Sequence, residues 1–135
     1  MTVKPRDLLD QALGLRSAAG EANARLAINR AYYASLHRVM EILPDEFKKE
    51  EDDGTTHAQV IAAVERLAKS VTPGRQAAIQ IARTLRQLRK SRVVADYRLD
   101  QELPPAELEL TLGRAERTFE LCAEVERLRK AARAP

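Results

Sequence analysis

Apolar side chains recur every three or four residues along most of this chain, and nowhere do they alternate one by one. The first spacing places them on one face of a helix, whereas alternation marks a half-buried strand. The pattern therefore predicts an all-α protein. Leu8, Leu9, Ala12, Leu13 and Leu15 form the first stripe, with Gly14 as its weak spot. Pro5 starts that helix, because the N–H it lacks has no partner at the first helical position anyway. Beyond Gly20 a longer helix runs from about Glu21 to Leu43, with Leu26, Ile28, Ala31, Leu36, Val39 and Ile42 in its stripe. Pro44 ends it.

Residues 44–55 show no periodicity and read as an acidic loop, with six acids and two lysines between Asp45 and Asp53. Thr56 with Gln59 three residues on makes a capping-box pattern. It opens a third helix through Val60, Ile61, Val64, Leu67, Ala68 and Val71. Thr72 and Pro73 read as the N-cap and first residue of a fourth helix. That helix carries Ala78, Ile81, Ala82, Leu85 and Leu88 and ends near Tyr97. Pro104 and Pro105 open the fifth, where Leu108, Leu112, Ala115, Phe119, Cys122 and Val125 keep helical spacing. Its basic end, 129–135, is expected to fray. The whole predicts one domain over residues 1–135, an up-and-down bundle of four to five helices.

Composition narrows the chemistry. With 44% hydrophobic and 32% charged residues the chain has the balance of a globular domain. Cys122 is the single cysteine and sits within an apolar stripe, so it reads as a small core residue, not a nucleophile. His37 and His57 stand at no zinc spacing from it, so neither a metal nor a cofactor is expected. No apolar stretch spans a bilayer and no signal-like segment opens the sequence, so the expected location is the cytoplasm, away from membranes.

Charge changes the picture more. The net charge is only +3, but Arg75 to Arg92 holds five arginines and Lys90 with no acid among them. A basic row of this kind can serve a phosphate backbone, but from charge alone a solvated face paired with acids elsewhere is the favoured reading. Arg86, Arg89 and Lys90 are the candidate RNA-binding residues.

Two places break the amphipathic rule. Arg30 lies one turn from Leu26 and Ala34, close to the apolar face, where an unpaired charge is costly. Arg92 and Asp96 stand at i,i+4 and can meet on one face of the fourth helix. A polar network joining Arg30 to Asp96 across the bundle, completed by Arg92 and the phenol of Tyr32 or Tyr33, accounts for both. Arg30, Tyr33 and Asp96 are its expected structural members.

Asn29-Arg30-Ala31-Tyr32-Tyr33-Ala34 followed by His37, Thr56-His57, and Arg92-Val93-Val94-Ala95-Asp96-Tyr97 together resemble the HEPN superfamily, in its small stand-alone prokaryotic branch. The resemblance covers Pro5 to Leu128. It implies a HEPN-like helical bundle, a homodimer, and a place in a toxin–antitoxin or defence module, often beside a minimal nucleotidyltransferase. It also implies metal-independent endoribonuclease chemistry from an Arg-x4-6-His motif, in which histidine moves protons and arginine offsets charge on phosphorus. Arg92 holds the motif's arginine position. Tyr97 stands where the histidine belongs, and Val93 replaces the polar residue usual after the arginine. Arg92 and Tyr97 are thus the candidate catalytic pair of a degenerate Arg-x4-Tyr motif, although a phenol ordinarily titrates near pH 10. His37 belongs to another helix, and His57 is expected to face water at a helix start. Two readings stay open: an RNA-directed enzyme, or a non-catalytic helical partner protein.

Overall fold

Each predicted stripe becomes a helix. The computed structural model, described here for residues 2–44, 56–69 and 73–133, contains α1 (Pro5–Gly14), α2 (Glu21–Ile42), α3 (Thr56–Lys69), α4 (Arg75–Tyr97) and α5 (Pro105–Arg133). A short 3₁₀ turn at Leu15–Ser17 follows α1 where Gly14 weakens the helix. Among the described residues there is no strand, and no helix is long and apolar enough to cross a membrane.

The second helix is the hub. α1, α4 and α5 all pack on it, and α3 rests chiefly on α4. The main core joins Tyr32, Leu36 and Val39 of α2 to Val64 of α3, Ile81 and Leu85 of α4, and Leu121 and Cys122 of α5. Burial of each such large side chain stabilises the fold by about 1.5–3 kcal/mol. A second cluster of Leu9, Ala12, Ala31, Ala34, Leu112 and Ala115 joins α1, α2 and α5 through small residues. Burial pushes the Cys122 thiol up to about 12, so it stays protonated.

Helix ends depart from the sequence expectation. α4 begins at Arg75, with Gly74 as N-cap at φ 87°, not at Thr72–Pro73. The chain turns left-handed there against α5, and a Cβ on Gly74 would lie 3.3 Å from the Val125 Cα, so glycine alone fits. The acidic loop over 45–55, the Thr56 side chain, Val71 and Thr72 lie outside the described residues. Leu26, expected in the α2 stripe, is 39% exposed, and Arg25 is buried in its place. The end of α5 that was expected to fray is helical as far as Arg133.

Arginines explain much of this. The last carbonyls of a helix have no partner within it, and a guanidinium answers both their lone pairs and the negative end of the helix dipole. Arg25 donates to the carbonyls of Val94 and Ala95, each at 3.1 Å, and to those of Arg98 and Gln101, closing α4. Arg75 donates to the Ala68 carbonyl near the end of α3 at 2.8 Å. Arg129 donates to the Ile42 carbonyl at the end of α2, which holds the final turns of α5 in place. The segment ending in Tyr97 is therefore fixed from outside its own helix.

Candidate functional site

Arg92 is the centre of the site. It is only 7% exposed, yet it carries its charge against the middle of α2 and near the start of α3. Helical i,i+4 spacing brings Asp96 to it, and Nη1 donates to Asp96 Oδ2 at 3.1 Å. Three aromatic rings surround the guanidinium: its carbon lies 5.4 Å from the Tyr32 ring centroid, 5.7 Å from Tyr33 and 5.5 Å from Tyr97. Such faces attract a cation that has lost water. Burial acts to lower the Arg92 pKa, but the Tyr97 hydroxyl, Tyr33 and Asp96 outweigh it and raise the value. The Nε is enclosed and has no hydrogen-bond partner among the described residues.

The third helix contributes His57. Its Nδ1 lies 2.6 Å from the Tyr32 hydroxyl, its ring stacks on Tyr32 at 5.5 Å, and it meets Tyr33 edge-on at 5.8 Å. Burial, then the Arg92 and Arg89 charges, lower its pKa, so the imidazole is neutral at pH 7. Burial pushes the Tyr32 phenol up to about 12 against the pull of Arg89 and Arg92, so it remains protonated. Donor and acceptor in this bond follow the ring tautomer. The tautomer that donates Nδ1–H to the Tyr32 oxygen leaves Nε2 as a proton acceptor.

The predicted network exists with different connections. Asp96 accepts from Asn29 Nδ2 at 3.0 Å, not from Arg30. Arg30 donates instead to Gln11 at 3.0 Å and to Asn29 at 2.7 Å, so it reaches Asp96 only through Asn29. The reason is geometric: Asn29 already faces α4, and the longer Arg30 turns toward α1. Tyr33 enters through its ring beside Arg92, not through a hydrogen bond to Asp96.

The basic row divides into different tasks. Arg75 caps α3, Arg86 is paired with Glu65, and Arg92 is buried. Arg83 and Lys90 remain exposed and Arg89 half-buried. Arg83, Arg86, Lys90, Val94 and Tyr97 share one face by helical spacing. Shallow depressions on either side of Lys90 are lined by Ala58, Ile61, Arg86 and Arg89, and by Arg89, Val93, Val94 and Arg98. Tyr97 is 70% exposed at the end of this face.

Of the two histidines, His57 departs from its expected setting. His37 is exposed beside Val3, Pro5, Leu8 and Glu41, away from Arg92. His57, expected in water, is half-buried at the centre. The signal for His57 was its phase, since Val60, Ile61 and Val64 follow it at three, four and seven residues. The same phase marked Arg25, with Ile28 and Tyr32 at three and seven residues beyond it. Among the described residues no three His, Cys, Asp or Glu side chains converge to hold a metal ion.

No protein-family model, curated protein or solved structure matches this chain.

Proposed function

We propose that this chain is a HEPN-like module of a prokaryotic toxin–antitoxin or defence system that engages RNA and cleaves it without a metal. One observation carries the reading. Arg92, at the motif position, and His57, on the same pair of tyrosine rings, stand together beside the exposed cations of α4. His57 accepts the proton of a ribose 2′-hydroxyl, the oxygen forms a bond to phosphorus, and the P–O5′ bond breaks. The leaving 5′ oxygen takes a proton from water, while Arg92 and Arg89 offset charge on the phosphoryl oxygens. The order of five helices fits an up-and-down HEPN-like bundle. A second copy of the chain and a nucleotidyltransferase are the protein partners that accompany this reading, in the cytoplasm and with no cofactor.

A specific observation favours a second reading. Arg92 is buried and already paired with Asp96, as in an ion pair that only fixes helix register. The protein is then a non-catalytic dimerisation or partner-binding module. Incubation of the purified protein with structured RNA, with and without a chelator, separates the two. The first reading predicts cleavage indifferent to chelator and reduced about 100-fold or more by Arg92→Ala. Wild-type protein that cleaves no faster than the Arg92→Ala variant decides for the second.

A further inference from the structure

The α4 face ends on a feature that proton transfer does not require. Tyr97 is 70% exposed and Leu99 beside it is 72% exposed, in a molecule whose other tyrosines are at least half-buried. The Tyr97 ring is braced by the Arg92 guanidinium at 5.5 Å, and Arg25 pins the carbonyls of Val94, Ala95 and Arg98 around it. The ring is thus held on a rigid helix end, not on a loose tail. The cations of Arg83, Arg86 and Lys90 line the same face over about 10 Å of helix, with Tyr97 about 10 Å beyond Lys90, at 1.5 Å per residue, and Arg98 adds another cation beside it.

We propose that Tyr97 acts through its ring, as a stacking platform for an unpaired base, and that the ligand of this face is single-stranded RNA. The inference rests on the RNA reading above and names its substrate class. Phosphates of one strand lie along Lys90, Arg89 and Arg98, while a splayed base covers the free side of Tyr97. A base has an apolar face of matching size, and its stacking tolerates any sequence. A paired helix keeps its bases stacked inside and has none to offer. An acidic protein segment would satisfy the cations but leave the ring uncovered, so the ring and the cations together favour a nucleic-acid strand.

Fluorescence anisotropy tests this with four labelled probes: a short unpaired RNA, its perfect duplex, the same strand without bases, and polyglutamate. The unpaired RNA binds most tightly, and Tyr97→Ala weakens it about tenfold, the scale of one lost base stack. Tyr97→Phe, which keeps the ring, restores the tight binding of the unpaired RNA that Tyr97→Ala loses. Lys90→Ala weakens the unpaired and the base-free strand alike and flattens the salt dependence. Unchanged binding by Tyr97→Ala, or equal affinity for the base-free strand or the duplex, overturns the stacking role while the RNA reading stands. Polyglutamate bound as tightly as RNA, or no binding of any RNA at low salt, overturns both.

Discussion

At the scale of single residues, arginine does three different jobs here, and its position in the chain alone does not separate them. Arg25, Arg75 and Arg129 close helix ends, Arg92 sits among tyrosines, and Arg83 and Arg89 remain for a ligand. Arg25 gives the sharpest stability prediction. Its planar fork reaches four carbonyls at once while Nε and Nη2 hold Glu21. A lysine carries the charge but not the fork. Arg25→Lys is therefore expected to destabilise the protein by about 2 kcal/mol, read as a lower midpoint in urea. An unchanged midpoint would show that charge alone suffices. Arg30 drew attention in the sequence because it stands close to an apolar face. Arg25 lies more squarely on that face, and its task became visible only when the carbonyls of residues 94–101 were placed beside it. Distant partners of this kind leave no mark on local sequence.

At the scale of elements, the periodicity of apolar residues was sufficient to read five helices, because that spacing is a property of the helical backbone itself. The ends were harder. The α4 start depends on a left-handed Gly74 pressed on Val125, and the end of α5 on Arg129 reaching α2. Both are contacts between elements far apart in sequence. The third helix touches α2 only lightly, and among the described residues a bond between His57 and Tyr32 joins them. This bond makes stability depend on pH. The His57 pKa is lowered in the fold, so the unfolded ring, with its ordinary value of 6.5, takes a proton first as pH falls. Its contribution is present above pH 6.5 and lost as pH falls below it. Tyr32 acts on the other side: raised from 10.0 to about 12, it keeps its proton in the fold, so stability declines as pH rises through that window. Melting temperatures recorded across pH are expected to fall on both sides of neutrality. His57→Gln should flatten the decline just below pH 6.5. An identical acid limb in that variant would mean that the bond does not hold α3.

At the scale of the whole molecule, the two faces differ in kind. The face around His37 and Glu41 carries isolated polar groups over Val3, Pro5 and Leu8. The α4 face combines cations, shallow apolar depressions and an exposed tyrosine above a buried arginine and a half-buried imidazole. The sequence marked Arg92 to Tyr97 as the centre, and the atoms at its core, Arg92 and Asp96, do meet there. His57 stayed hidden because its helix is remote in sequence and joins the cluster only through packing. If the α4 face is the functional surface, RNA must perturb it and little else. Titrating isotope-labelled protein with a short unpaired RNA and following its NMR resonances tests this directly. Shifts are expected to concentrate on His57, on Lys90 through Arg98, and on the Nε–H of Arg92. Shifts centred on His37 and Glu41, or none at saturating RNA, would contradict it.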